Sequence, residues 1–162
     1  MTPGIIVLAA TLGASALVTS ALVGAVLWAL RRRGAPTPVP GFATRVYGAV
    51  PTSPEVYGRL LEEFVGEWDK RFGGGDEVRR AIDRLSIHHI RDLKHRGETV
   101  WGVTLSPSTV YVNTGAPRPL RVIQHELLHV ATWVTSGRDA TDHGAWTPEQ
   151  RRFLGELTKW GE

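Results

Sequence analysis

The hydrophobic and polar positions divide the chain into one long apolar stretch and a longer part in which apolar positions recur periodically. No side chain between residues 2 and 30 is charged, and residues 5–30 are apolar or small. A helix rises about 1.5 Å per residue, so this segment is long enough to cross a hydrocarbon core of about 30 Å. The pattern therefore predicts one N-terminal transmembrane helix. With the arginines that follow it, the predicted membrane anchor spans residues 1–33.

A proline- and glycine-rich segment without sustained periodicity follows at residues 34–51. This composition predicts a semi-extended linker. A helix is predicted to begin at Ser53-Pro54, with the serine as N-cap and the proline in the first turn. Its apolar positions repeat at helical spacing up to Phe72, and the glycines at 73–75 end it. A short second helix is predicted over residues 76–85.

Further along, the pattern changes to short runs that are typical of strands. Three strands are predicted, over residues 86–93, 99–105 and 108–113. A long helix is then predicted from Pro119 to about Ser136, with Gly137 just after its end. Residues 147–150, TPEQ, form a capping box that opens a closing helix. Residues 52–162 are therefore expected to form an α+β domain, with helices and a small sheet of about three strands behind the transmembrane helix.

The charge distribution adds a prediction about location. Three of the 19 basic residues are Arg31, Arg32 and Arg33, and the remaining 16 balance the 16 acidic residues, all of which come later in the chain. By the positive-inside rule, arginines directly after a single-pass span place the C-terminal domain in the cytoplasm. A formally neutral domain argues against a nucleic-acid partner, because affinity for phosphates rests on clustered positive charge.

Candidate chemistry is concentrated in the sequence HELLH at residues 125–129. The chain has no cysteine, so a metal would be held by His, Asp or Glu. His125 and His129 are four residues apart and lie on one face of the predicted helix, where both imidazoles can reach a single Zn²⁺ ion. Glu126 is then placed to act as the general base that takes a proton from a zinc-bound water. The alternative is a polar helix face with solvated histidines.

A third zinc ligand has four candidates beyond this helix, which are Asp139, Asp142, His143 and Glu149. The stretch HELLHVATWVTSGRDATDHG resembles the SprT-like metallopeptidases, a group of zincins, over about residues 99–155. The resemblance implies a zincin-like minimal metallopeptidase domain in which the histidine of His143-Gly144 completes the zinc site. Trp146 falls one place earlier than the family's aromatic residue, and the family's usual basic character is missing. Some members cleave proteins crosslinked to DNA, and that role is not carried over.

A competing hypothesis uses a glutamate as third ligand, as in the thermolysin-like gluzincins, where the spacing matches that from His129 to Glu149. The capping box explains Glu149 without a metal. Asp139 or Asp142 could instead orient a ligand imidazole. Both alternatives stay open at the level of the sequence.

Other residues are assigned weaker roles. The pair His88-His89 alternates across a strand, and each is predicted to be a surface histidine. Tyr111 could polarise a substrate carbonyl, although a strand tyrosine packed on the core is the better interpretation. The predicted strand 108–113 could pair with an extended peptide by β-augmentation.

Together these patterns predict a single-pass, membrane-anchored zinc metallopeptidase that hydrolyses peptide bonds in a protein or peptide substrate. The alternative is a non-enzymatic, membrane-tethered interaction module with a zincin-like shell. Ala16, Ser20 and Gly24 have the small-xxx-small spacing that lets two transmembrane helices approach closely, so a homodimer through this helix is a further expectation.

Overall fold

The computed structural model describes residues 35–138 and 143–157, and for Ala145 only the backbone. They form an α+β arrangement of four helices and a mixed sheet. The helices are α1 (Pro54–Phe72), α2 (Gly75–Asp83), α3 (Pro119–Ser136) and α4 (Pro148–Leu157), with a short 3-10 helix at His143–Ala145. The strands are β1 (Thr37–Val39), β2 (Phe42–Tyr47), β3 (Ser86–Ile90), β4 (Lys94–His95), β5 (Glu98–Thr99), β6 (Gly102–Ser106) and β7 (Thr109–Asn113).

The main sheet has five strands in the order β1-β2-β3-β7-β6. The pairs β2-β3 and β3-β7 are parallel, whereas β1-β2 and β6-β7 are antiparallel. The strand predicted to accept a peptide, residues 108–113, corresponds to β7 and lies between β3 and β6. Both edges of β7 are paired with these strands, so it cannot accept a peptide as a further strand, and the prediction is wrong. Among the described residues, the edge strand next to β7 is β6.

The first two strands lie inside the segment that was predicted to be a linker. They form a hairpin through Gly41, whose φ of +80° is available to glycine at little cost. In β2, Thr44 and Val46 are both buried. The Thr44 hydroxyl donates a hydrogen bond to the carbonyl of Ile82 over 2.6 Å, which connects the hairpin to α2. The sequence pattern missed these strands because they are short and proline and glycine stand between them.

Helix α1 packs its predicted apolar face into the core. Its N-cap is Ser53, whose hydroxyl accepts a hydrogen bond from the backbone N–H of Val56 at 3.4 Å. Phe64 and Trp68 are buried and contact Phe153 of α4, with ring centroids 5.8 and 6.0 Å apart. These contacts join α1 to α4.

Helices α3 and α4 have the local signals that the sequence predicted. Helix α3 spans Pro119–Ser136 and ends at Gly137, which has a φ of +67°. At the start of α4, the Thr147 backbone N–H donates to Oε1 of Gln150 over 2.8 Å, and the Gln150 N–H donates to Oγ1 of Thr147 over 3.2 Å. This reciprocal pair is the predicted capping box.

The predicted fold class needs correction in two respects. The sheet has five strands, plus a separate β4-β5 hairpin, where about three strands were expected. None of the helices within residues 35–138 and 143–157 combines the length and the apolar character that a membrane span requires. The described helices bury one face against the sheet or each other and expose the other, as helices of a globular domain do. The predicted span, residues 5–30, and its arginine flank lie outside the described residues.

Candidate metal centre and cleft

Two histidines of the candidate centre project from one face of α3, and a third reaches them from the 3-10 helix at His143–Ala145. The Nε2 atom of His143 lies 2.9 Å from Nε2 of His125 and 3.2 Å from Nε2 of His129. Ligand atoms of all three residues lie within 4.8 Å of one another. The structure therefore brings together the three residues that were predicted as metal ligands.

The distances from Nε2 of His143 to the other two nitrogens fit ligands of a single zinc ion. Nitrogen ligands in a tetrahedral zinc site, each about 2.0–2.1 Å from the metal, are separated by about 3.3 Å. Burial, and to a smaller extent the neighbouring histidines and Arg121, lower the pKa of His125 to about 4. His125 is therefore uncharged at neutral pH, which is the form of imidazole that binds a metal. Three imidazoles also leave a fourth position for water or substrate.

The indole of Trp146 packs against the whole triad. Its ring centroid lies 4.5 Å from that of His129, 4.7 Å from that of His143 and 5.2 Å from that of His125. Trp146 is buried, and the guanidinium of Arg151 donates a hydrogen bond to its carbonyl over 3.1 Å. An apolar wall of this kind restricts the imidazole orientations and excludes water from that side of the site.

The predicted general base lies beside the triad in a buried position. Glu126 is 4% exposed, and Oγ1 of Thr104 on β6 donates a hydrogen bond to its Oε2 over 2.7 Å. Burial raises the pKa of Glu126 to about 7, although the hydrogen bond from Thr104 acts in the opposite direction. A cation held by the adjacent histidines would favour the ionised carboxylate. The carboxyl group is thus positioned as an acceptor whose proton affinity suits proton transfer near neutral pH.

The backbone of β6 approaches Glu126 closely because position 102 is a glycine. A Cβ atom at Gly102 would lie 2.5 Å from Oε1 of Glu126 and 2.7 Å from Cγ1 of Val122. Glycine at this position therefore leaves the space that the carboxylate occupies.

Two cavities meet at this point of closest approach. The metal-side cavity has a volume of about 430 Å³ and includes the three histidines, Thr104, and His95 and Arg96 of the β4-β5 hairpin. The tryptophan-side cavity has a volume of about 450 Å³ and includes Trp101, Pro117, Arg118, Arg121 and Val122. Gly102, His125 and Glu126 line both cavities. The candidate centre thus lies along a cleft that extends in two directions.

The other candidate ligands have different positions. Glu149 is exposed in the first turn of α4, and it is not part of a group of potential metal ligands within the described residues. The capping partners at this helix end are Thr147 and Gln150, so Glu149 does not form the capping box itself. Asp139 and Asp142 lie outside the described residues.

The prediction that His88 and His89 are surface residues is wrong, because both are buried in β3. His88 stacks between Tyr47 and Tyr111, with centroid distances of 4.8 and 4.9 Å. None of these rings lines either cavity. Tyr111 therefore packs in the sheet, which was the preferred interpretation of its sequence position. The prediction failed because both faces of β3 are covered, with His88 stacked on rings of the neighbouring strands and His89 in contact with Tyr57 of α1.

Gly102 and Thr104 were not predicted from the sequence as parts of the site, and Trp146 was assigned no role there. A signal existed for Gly102, since a glycine inside a strand pattern often marks a close approach of the backbone to another group. No local signal identifies Thr104, because its contact with Glu126 joins residues 22 positions apart.

Comparisons of the chain with protein-family models, curated proteins and solved structures found no match. The resemblance to the SprT-like group therefore stays a prediction that rests on the motif.

Proposed function

We propose that this protein is a zinc-dependent metallopeptidase of the HExxH type, with His125, His129 and His143 as zinc ligands and Glu126 as general base. One observation carries the proposal, which is the convergence of three imidazole nitrogens next to a buried carboxyl group. Solvated histidines on a polar helix face would not account for either feature.

When bound, zinc supplies a Lewis acid that lowers the pKa of a water molecule and polarises the carbonyl of the peptide bond. Glu126 accepts the proton of the attacking water and delivers it to the leaving amine. The hydroxyl of Thr104 holds the carboxylate in one orientation through its 2.7 Å hydrogen bond. The Trp146 ring keeps water away from the inner side of the histidines.

The substrate in this proposal is an extended peptide that lies along β6. This strand pairs with β7 on one side, and it has no strand partner on the other side among the described residues. A peptide added there by β-augmentation would pass Gly102, where the two cavities meet. Backbone hydrogen bonds would then hold the chain, and the cavities would receive side chains.

The proposal is tested with the purified full-length chain and an unfolded protein such as reduced, alkylated casein. Cleavage is expected to require zinc and to stop on addition of a chelator. Glu126→Gln is expected to bind zinc in the wild-type ratio and to lose cleavage, because the amide cannot accept the proton.

The competing function is a non-enzymatic interaction module. It would be supported if the wild-type chain held one zinc ion per molecule and left casein and a diverse peptide mixture intact. Full activity of Glu126→Gln would refute the proposed role of the carboxylate.

A further inference from the structure

The cleft carries a concentration of positive charge that the proposed catalytic step does not use. Arg96 lines the metal-side cavity, and Arg118 and Arg121 line the tryptophan-side cavity. The acidic residue that lines these two cavities, within the described part of the chain, is Glu126. Since the charges beyond residue 33 balance formally, this excess is a local property of the cleft.

The position of Arg96 results from the geometry of the β4-β5 hairpin. His95 pairs with Glu98, and the two-residue turn between them consists of Arg96 and Gly97, with φ angles of +52° and +85°. Two positive φ angles are typical of a type I′ turn, in which asparagine is the usual first residue. An arginine there places a long cationic side chain at the tip of the hairpin, at the border of the metal-side cavity.

The charge on the other side of the centre belongs to α3 and the turn before it. Arg121 precedes His125 by four residues and so lies on the same face of the helix. Arg121 and His125 line the tryptophan-side cavity together. The adjoining surface is apolar, with Pro117, Val122 and a Trp101 side chain that is 53% exposed. This side of the cleft therefore offers an apolar surface with cationic groups beside it.

We propose that the cleft selects peptide segments that carry a carboxylate close to the scissile bond, and that Arg96 and Arg121 are the residues that recognise it. This inference rests on the proposed peptidase function and specifies its substrate class. The carboxylate belongs either to an aspartate or glutamate side chain or to the free C-terminus of the peptide. Opposite charges in a cleft attract a substrate and fix its register, even where each exposed pair contributes little affinity.

The first experiment measures binding without cleavage, in the full-length Glu126→Gln chain loaded with zinc. Fluorescent peptides share one apolar core flanked by Glu, Gln or Lys, each with an amidated or a free C-terminus. Glu-flanked peptides are expected to bind about two- to fivefold more tightly per charge than Gln-flanked ones, the range of exposed ion pairs. The preference should decrease as salt is raised. A preference that follows the free C-terminus alone would assign the carboxylate to the chain end.

The second experiment compares charge-neutralising variants in the same background. Arg96→Gln and Arg121→Gln are each expected to reduce the preference for Glu over Gln flanks by about two- to fivefold, because the two arginines line different cavities. Arg80→Gln is the matched control, because it removes the same charge from the exposed face of α2, in a different cavity. An equal effect of all three variants would show that only the net charge matters, and would overturn the inference.

The third measurement distinguishes failure of the proposed substrate preference from failure of the proposed peptidase function. If wild-type protein cleaves peptides with the same kcat/KM for Glu, Gln and Lys flanks, the inference fails and the peptidase function stands. If Glu126→Gln binds Glu-flanked peptides selectively but the wild type cleaves none, the inference stands as a binding specificity and the peptidase function fails. Tighter binding of a single-stranded oligonucleotide than of the Glu-flanked peptide would overturn the inference in favour of a nucleic-acid ligand.

Discussion

At the scale of single residues, the site depends on a few side chains whose neighbours determine their chemical state. Burial gives Glu126 a pKa of about 7, and Thr104 limits that shift by donating a hydrogen bond to the carboxylate. His125 is held in its neutral form by burial and by nearby positive charge. The same local environment therefore prepares one residue to accept a proton and another to bind a metal.

Replacing the Thr104 hydroxyl tests its role in positioning the base. Thr104→Val keeps the branched shape but cannot donate, so kcat/KM is expected to fall by about ten- to hundredfold, which corresponds to about 1.5–3 kcal/mol for a hydrogen bond to a charged group. Thr104→Ser keeps the donor and should retain most of the activity. Zinc content, measured by elemental mass spectrometry, should be unchanged in both. Equal activity of the Val and Ser variants would contradict the assignment.

At the scale of elements, the packing of β6 against α3 creates the cleft. Thr104 and Gly102 belong to the strand, whereas Glu126 and Val122 belong to the helix, and their contacts determine where the carboxylate lies. Within residues 35–138 and 143–157, β6 is also an edge strand, which leaves a backbone edge for a substrate. A small change at this packing contact should therefore alter function more than stability.

Gly102→Ala is expected to reduce kcat/KM on the order of a hundredfold, because the new methyl group displaces the carboxylate and a shift of about 1 Å has such an effect. The unfolding free energy should fall by about 1–3 kcal/mol, as for other overpacked sites. Gly66→Ala in α1 is the matched control, since a Cβ there meets nothing within 4 Å. That variant should be as active as wild type and slightly more stable. Wild-type activity of Gly102→Ala would disprove the close approach.

The contact of α1 with β3 predicts a pH dependence of stability. Nε2 of His89 lies 3.4 Å from the hydroxyl of Tyr57, and burial, with a smaller effect of His88, lowers the pKa of His89 from 6.5 to about 4. Between these two pH values the unfolded chain binds more protons than the folded one. The unfolding free energy should therefore decrease as the pH falls from about 6.5 to about 4, by at most about 3 kcal/mol from this residue.

The measurement uses urea unfolding of the chelator-treated full chain between pH 7.5 and 4.5, followed by tryptophan fluorescence. His125, whose pKa is also lowered, acts in the same direction in the metal-free protein, so the comparison is with His89→Gln. The difference between the two pH profiles isolates His89. Parallel profiles would show that His89 does not titrate as predicted.

At the scale of the whole molecule, the candidate metal would join the central helix α3 to the segment that precedes α4. His125 and His129 come from the central helix, and His143 comes from the segment before α4. Trp146, two residues before α4, covers the same centre. Predictions about the membrane anchor, the cytoplasmic location and a homodimer concern residues 1–33, which lie outside the described residues.

The choice of third ligand predicts opposite results for two variants. His143→Ala should lower the zinc content and bring the melting temperature of the full chain down to that of chelated wild type, because bound metal stabilises the folded state by mass action. Glu149→Ala should keep the zinc, and it should lose about 0.3–1 kcal/mol from the interaction of its charge with the helix N-terminus. If Glu149→Ala lost the zinc and His143→Ala kept it, the glutamate-ligand alternative would be supported.

The sequence by itself determined the features that depend on near neighbours. Ser53, Gly137 and the pair Thr147 and Gln150 mark helix ends through contacts of a few residues, and the structure has those ends where the sequence predicted them. The shared face of His125 and His129 is equally local, because helical geometry alone brings positions i and i+4 together. These parts of the site were predictable from spacing.

Only the tertiary structure decided which distant residues complete the cleft. It placed β6 at the edge of the sheet, buried His88 and His89 in an inner strand, and set Thr104 against Glu126, 22 positions away. It also joined residues 37–47 to the sheet through the parallel pairing of β2 with β3, and to α2 through the hydrogen bond from Thr44 to Ile82. Such contacts form because whole faces are buried together, and the periodicity of one segment shows that a face is apolar without showing which element covers it.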